Sequence, residues 1–85
     1  KFGTLTSSDD TIKMDIYTDQ CGAQIYTGNF VAPETGKNGW EIVQFGGICV
    51  ETQLPPNNLN HSHLPNMLVK RGEIYTHKTG YKFRY

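Results

Sequence analysis

TIKMDIYT, residues 11–18, alternates apolar side chains with other side chains along its length. Three apolar side chains fall on one face of an extended chain, and the three between them fall on the opposite face. The first set is Ile12, Met14 and Ile16, and the second is Lys13, Asp15 and Tyr17. Because successive side chains of a strand point to opposite faces, this period of two predicts a half-buried β-strand.

The rest of the chain continues with short strands and turns. Further strands are predicted at 23–26, 46–53, 67–69 and 73–85. The segment 46–53 is the most apolar of these and is expected to be a buried strand, while Gly80 is expected to mark a bulge or bend in the last one. Asn38-Gly39 is a strong tight-turn dipeptide in the loop at 33–40. The pattern predicts about five or six strands and no helix.

Composition favours an all-β chain. Nine glycines, four prolines and an aromatic share of 12% accompany only two alanines, Ala23 and Ala32. Such a composition is typical of strands and turns and is poor in helix formers.

The length of 85 residues allows a single domain at most. The apolar share is 36%, below the roughly 45–50% of globular domains. A chain this short buries a modest part of its unfolded surface, so its own core would be marginal. We therefore expect a piece of a larger fold. The alternative is an independent small β module, which would unfold in a cooperative thermal transition.

Charge and apolar patterning argue against several classes of protein. Eight basic residues balance eight acidic ones, and the pI is about 7.0, which disfavours a nucleic-acid binder. No apolar run approaches the roughly 18 residues of a membrane helix. Two cysteines, Cys21 and Cys49, are too few for a disulfide-rich scaffold. Buried free thiols are expected, and the sequence leaves a pairing of the two open.

The pair His61-x-His63 raises the question of a metal site. Two histidines spaced by two residues lie on one face of a strand, which can suit a metal ion. They stand, however, in a loop rich in proline and asparagine, with no cysteine or acid at ligand spacing beside them. We therefore predict hydrogen-bonding or solvated histidines and no metal.

Glu51 is the first candidate for chemistry. It stands on the most apolar strand, two residues after Cys49. A carboxylate held on such a strand suits general-base work. The alternative is a strand-end side chain that reaches water or pairs with a lysine.

Several motifs in order resemble one family. They are residues 24–30 (QIYTGNF), residues 47–53 (GICVETQ), Asn60, His61 and Pro65 in the loop that follows, and Leu68, Gly72-Glu73, Tyr75, His77, Thr79, Tyr81 and Phe83 toward the end. From about Thr11 onward the chain resembles the C-terminal portion of the galactose mutarotase (aldose 1-epimerase) family. Residues 54–57, Leu-Pro-Pro-Asn, depart from the family's His-Phe-Pro-Asp, which predicts a different shape for that loop.

The resemblance implies both a fold and an activity. Residues 1–85 would be the C-terminal segment of a single larger all-β supersandwich domain of mostly antiparallel strands, with no internal boundary. The complete protein would be a cytoplasmic isomerase of carbohydrate metabolism that interconverts the α and β anomers of aldohexoses such as galactose and glucose, without a cofactor. Its partners would be the aldohexose and the remainder of the domain, with no nucleic acid and no membrane.

The resemblance also assigns residues. Glu51 resembles the family's general base, which takes the proton from the C1 hydroxyl, and Gln24 resembles a glutamine that hydrogen-bonds a sugar hydroxyl. The family's general acid is a histidine outside this chain, and none of His61, His63 and His77 matches it. The chain alone is therefore expected to be inactive. The alternative is a non-catalytic sugar-binding or sugar-sensing protein on the same scaffold.

Overall fold

A computed structural model describes every residue from Lys1 to Tyr85. It contains seven strands and two short 3-10 turns, with no α-helix. The strands are β1 (Gly3–Thr6), β2 (Lys13–Thr18), β3 (Gly22–Tyr26), β4 (Glu34–Thr35), β5 (Glu41–Ile42), β6 (Cys49–Gln53) and β7 (Thr79–Arg84). Every pairing between them is antiparallel. The all-β prediction is confirmed.

The strand β2 lies at the centre of a three-stranded sheet, in the order β1-β2-β7. Met14 lies opposite Phe83, and Ile16 lies opposite Tyr81. Residues directly opposite each other share a face of the sheet. The predicted apolar face of β2 is thus confirmed and continues into β7. Ile16 is its centre, with 2% of its surface exposed.

The strand β1 was not predicted. It is four residues long and pairs Leu5 with Met14 and Gly3 with Ile16. The turn that joins it to β2 is closed by Asp9, whose carboxylate accepts hydrogen bonds from the hydroxyls of Ser7 and Thr11, at 2.6 and 2.9 Å. These bonds lower the pKa of Asp9.

The polar face of the same sheet holds one buried carboxylate, that of Asp15, which is 5% exposed. Its Oδ1 accepts from Lys1 at 2.6 Å, from the Thr4 hydroxyl at 2.7 Å and from Arg84 at 2.9 Å. The Lys1 ammonium, the Thr4 hydroxyl and the Arg84 guanidinium together hold the pKa of Asp15 well below its usual range. A buried charge is tolerated when it is paired in this way.

A second, two-stranded sheet is formed by β3 and β6. Its register runs from Gly22 opposite Gln53 to Tyr26 opposite Cys49. The strand predicted at 46–53 therefore begins three residues later than expected. It is also not buried, since Cys49 and Glu51 are exposed and the other strand residues are half-buried. The reason is that β6 has a strand on one side only.

The tight turn predicted at Asn38-Gly39 is present. It joins β4 to β5, and the amide of Gly36 donates to the carbonyl of Trp40 at 2.7 Å. Asn38 has φ 60° and Gly39 has φ 77°. Two successive positive φ values are what a hairpin turn of this twist requires, which explains the Asn-Gly pair.

Toward the end of the chain, two predictions are wrong and one holds only in part. Residues 67–69 form no strand, and the strand predicted at 73–85 begins only at Thr79. Because β2 ends at Thr18, which lies opposite Thr79, the earlier residues have no strand to pair with. Gly80 marks no bulge, since it lies opposite Tyr17 in an unbroken register.

The chain is extended, and few of its side chains are buried. Its accessible surface is 7045 Å², against about 5,100 Å² for a compact protein of this mass. Its radius of gyration is 16.6 Å, against about 12 Å for a compact domain of this length. Large apolar side chains such as Phe83 and Tyr81 remain half exposed. The sequence-based expectation of a marginal core is confirmed.

Candidate functional site

The two residues singled out as site residues meet across one pair of strands. Gln24 on β3 lies directly opposite Glu51 on β6. Directly opposed residues have Cβ atoms about 4.5–5.5 Å apart and point to the same face. The fold therefore brings a carboxylate and a carboxamide, 27 positions apart in the sequence, to one place on the sheet.

Both side chains are exposed. Neither takes part in the side-chain hydrogen bonds or ion pairs of the chain, in contrast to Asp15, whose Oδ1 accepts from three side chains. An ionised carboxylate accepts through two oxygens, and a carboxamide both donates and accepts. The pair can thus bind a hydroxyl-rich ligand with both kinds of hydrogen bond. Of the alternatives for Glu51, a pairing with a lysine is absent, while the exposed side chain does reach water.

The end of the site beyond Gln24 is shaped by a tight loop. Tyr26 shares the face of Glu51, and its hydroxyl accepts from the amide of Phe30 at 3.2 Å. Gly28 is buried with φ 73°, and its carbonyl accepts from the amides of Val31 and Phe45. A side chain is strained at that φ, so the loop needs glycine there.

The opposite face of β6 is anchored by hydroxyl groups. The Thr52 Oγ1 lies 3.1 Å from Nε2 of His77 and 2.5 Å from Oγ1 of Thr79. The Nε2 of His77 lies 3.0 Å from the same Thr79 oxygen, which closes a triangle of three contacts. Thr79 also donates to Oγ1 of Thr18 on β2 at 3.5 Å.

The segment that carries His77 and Thr79 is itself held by Asp19. Both carboxylate oxygens of Asp19 accept from the amide of Lys78, at 3.0 and 3.1 Å, and the amide of Asp19 donates to the Lys78 carbonyl at 3.2 Å. The backbone bond from Lys78, the side chain of Gln20 and the nearby charge of His77 lower the pKa of Asp19. The backbone amide and the backbone carbonyl of Lys78 are therefore both bonded to Asp19.

Three cavities border β6, and none of them includes Glu51 or Gln24. The first, of about 380 Å³, is lined by Tyr26 and Cys49 together with residues 41–43 and 46–48. The second, of about 400 Å³, is lined by residues 52–56 together with Met67, Val69, Tyr75 and His77. The third, of about 250 Å³, lies between the β1-β2-β7 sheet and the β3-β6 sheet and is lined by Met14, Ile48, Val50, Tyr81 and Phe83. The candidate site is thus an open sheet face rather than an enclosed pocket within this chain.

The histidines at 61 and 63 lie in a loop, next to the 3-10 turn Asn58–Asn60. Their rings meet edge to face with centroids 5.7 Å apart. No three side chains of His, Cys, Asp or Glu are grouped as metal ligands. No helix of the structure has the length and apolar character needed to cross a bilayer.

Both cysteines are free, as predicted, but the prediction that they are buried is wrong. Cys49 begins β6 and lies opposite Tyr26, whereas Cys21 precedes Gly22 at the other end of the same pair of strands. Four residues of strand separate the two ends, or about 13 Å. They are exposed because no further strand covers this sheet.

The anchoring triangle is the part of the site that sequence analysis missed. Thr52, His77 and Thr79 all belong to the motifs that carry the family resemblance, but they had no role there. The sequence did offer a signal: Thr52 follows the candidate base Glu51 directly, and His77 stands two residues before Thr79.

Comparison with known proteins gives a consistent family. A family model described as aldose 1-epimerase matches residues 2–82. The chain is 44% identical over 71 residues to a galactose mutarotase of Bos taurus and 42% identical over 71 residues to one of Homo sapiens. It is 35% identical over 82 residues to an aldose 1-epimerase of Haemophilus influenzae.

These matches cover most of this chain and a small part of each relative. The two mammalian alignments span 82% of the chain and 21% of the relative, and the bacterial one spans 94% and 24%. The chain thus spans about a fifth of the length of the curated relatives it matches. No solved structure matches it significantly.

Proposed function

The chain belongs to the aldose 1-epimerase family, and from this premise we propose that the complete protein is a mutarotase that interconverts the α and β anomers of aldohexoses such as galactose and glucose. The observation that carries the proposal is the cross-strand pair of Gln24 and Glu51. The fold presents both polar groups on one exposed sheet face, inside the region that the family model covers.

Glu51 is proposed as the general base. Its carboxylate takes the proton from the C1 hydroxyl of the cyclic sugar while the C1–O5 bond breaks and its electrons pass to the ring oxygen. The ring oxygen takes a proton from a general acid. The open-chain aldehyde then turns about C1–C2, and the ring closes on its other face as the two groups act in reverse. A positioned proton transfer of this kind is worth about 10²–10⁴ in rate.

Gln24 is proposed as a positioning group for the sugar. Its carboxamide lies beside the Glu51 carboxylate and can hydrogen-bond a sugar hydroxyl while the base acts on C1. Holding the reacting oxygen and the carboxylate in near-attack geometry lowers the entropic part of the barrier.

Residues 1–85 are proposed to be the C-terminal segment of a single larger β domain, whose remainder supplies the general acid. The large accessible surface and the half-exposed apolar side chains support this. So do the single strand neighbour of β6 and the open cavity between the sheets. The isolated chain then has the base without the acid and is expected to be inactive.

The test is polarimetry on freshly dissolved α-D-galactose with the complete protein and its Glu51→Gln variant. The variant keeps the shape of the side chain and removes the base, and we expect it to lose anomerisation by about 10²-fold or more. Glu34→Gln is the matched control, since Glu34 is an exposed strand glutamate on β4.

The outcomes separate the two functions considered. Loss with Glu51→Gln and full activity with Glu34→Gln support the mutarotase. A complete protein that binds galactose in calorimetry but never accelerates anomerisation would instead be a sugar-binding protein on the same scaffold.

A further inference from the structure

We propose that Thr52, His77 and Thr79 are positioning residues for the mutarotase reaction, which hold the strand bearing Glu51 in place from the face that the sugar does not touch. The inference rests on the proposed function of Glu51. It concerns the three side chains of the triangle described above, to which the family resemblance assigned no role.

Thr52 acts from behind the site. It follows Glu51 directly on β6, so the two side chains point to opposite faces of the sheet. The partner of Thr52 across the strands is Ala23, whereas the partner of Glu51 is Gln24. The Thr52 hydroxyl therefore cannot share the sugar-facing side with Glu51, and any effect it has on the reaction passes through the backbone of β6.

The Thr52 hydroxyl is the only hydrogen-bonding link between the β3-β6 sheet and the β1-β2-β7 sheet. Every other backbone or side-chain hydrogen bond of β3 and β6 stays within that sheet and its loops, while Thr52 alone reaches His77 and Thr79. The apolar residues that face each other between the sheets leave a cavity of about 250 Å³ rather than a continuous contact. Besides the chain connection at residues 19–21, which joins β2 to the partner strand of β6, this link is the hydrogen bonding that places β6 against β2 and β7.

The far end of the link is rigid. Thr79 begins β7 and lies opposite Thr18 on β2, to whose hydroxyl it donates. Between His77 and Thr79, the peptide of Lys78 is held by three hydrogen bonds to Asp19. The anchor point of Thr52 is thus tied to the central strand of the larger sheet.

The three contacts of the triangle depend on which of its side chains donate hydrogen bonds. Each threonine hydroxyl has one proton to donate, and Nε2 of neutral histidine either donates or accepts. Because Thr79 donates its proton to Thr18, Thr52 is the remaining hydroxyl donor of the triangle, and the direction of the contacts with Nε2 follows the tautomer of His77. Removal of any one member takes away two of the three contacts.

The test uses the complete protein and measures kcat and KM for α-D-galactose. Thr52→Val keeps the shape of the side chain and removes its hydroxyl. We expect kcat to fall by about tenfold with KM within about twofold, since small displacements of a catalytic group cost rate more than binding. Thr52→Ser restores the hydroxyl and is expected to restore kcat. Thr6→Val is the matched control, because Thr6 is an exposed strand threonine on β1.

Further variants distinguish a positioning effect from misfolding of the Thr52→Val protein. Thr79→Val and His77→Phe remove the other members of the triangle, and each is expected to lower kcat in the same direction. In a Glu51→Gln background, Thr52→Val is expected to add less than about twofold, because a residue that acts through Glu51 has nothing left to position.

Three results would overturn the inference. One is wild-type kcat in Thr52→Val together with an inactive Glu51→Gln variant, which leaves the mutarotase intact and removes the positioning role. Another is equal loss in Thr52→Val and Thr52→Ser, which assigns the effect to packing. The third is full activity of Glu51→Gln, which refutes the proposed function itself.

Discussion

Two carboxylates on strands, Asp15 and Glu51, have opposite surroundings. Asp15 lies on β2 between two neighbouring strands and accepts from Lys1, Thr4 and Arg84. Glu51 lies on β6 beside one strand only and is exposed with no partner in the chain. The first carboxylate accepts three hydrogen bonds from other parts of the protein through Oδ1, which ties β2 to its surroundings. The second accepts none within the chain, which fits its proposed role as a general base.

The largest expected effect is on activity, and it tests the Glu51 side of this comparison. Glu51→Gln in the complete protein should lower kcat/KM for anomerisation by about 10²-fold or more, with the thermal midpoint unchanged because no intramolecular contact is lost. Polarimetry and calorimetry on one preparation measure both. A large fall in the thermal midpoint would mean that Glu51 is structural like Asp15.

Gln24 should show the next largest effect. Gln24→Ala removes one hydrogen bond to the sugar, worth about 0.5–1.5 kcal/mol, and should raise KM by roughly 2–12-fold with a smaller change in kcat. Initial rates over a range of galactose concentrations give both constants. Gln20→Ala is the control, since Gln20 bonds only to its neighbours in a turn. An unchanged KM in Gln24→Ala would separate Gln24 from the sugar site.

Asp15→Asn tests the other side of the comparison. It removes the charge that pairs with Lys1 and Arg84 and should lower the thermal midpoint while kcat/KM at a permissive temperature stays near wild type. Differential scanning calorimetry measures the midpoint. Asp10→Asn is the control, because Asp10 forms an exposed pair with Lys13 that should contribute little. An equal midpoint in both variants would contradict a structural role for Asp15.

The smallest effect is on the pH dependence of stability. The folded-state pKa of Asp15 is lowered, so its contribution is present above the unfolded value near 3.9 and is lost as pH falls below it. Acid unfolding of the wild type should therefore be steeper below about pH 4 than that of Asp15→Asn. Circular dichroism during acid titration records both curves. Parallel curves would show that the carboxylate is not better stabilised in the folded protein.

Much of the fold follows from local pattern. The alternation at 11–18 identified β2 and its apolar face, and Asn38-Gly39 identified the hairpin turn. The predictions failed where a strand depends on its neighbours. Residues 67–69 have strand-like composition and no partner, and the four-residue β1 exists because β2 lies beside it.

The candidate site was likewise predictable from the sequence only in part. The resemblance to the family identified Glu51 and Gln24, and the register of β3 and β6 showed that they are direct neighbours. The role of Thr52 could not be read from the sequence, since its partners lie 25 and 27 positions away. Only the placement of one sheet against the other brings them together.

The amino-acid sequence by itself determined the all-β character, the faces of β2 and β7 and the membership of the family. Only the tertiary structure decided which acid is partnered and which is free, because Asp15 meets Arg84 across 69 positions of sequence and Glu51 meets no such group. Periodicity and composition report on neighbours a few residues apart. Charge pairing, burial and the anchoring of β6 depend on strand register and sheet packing, which arise only when distant segments come together.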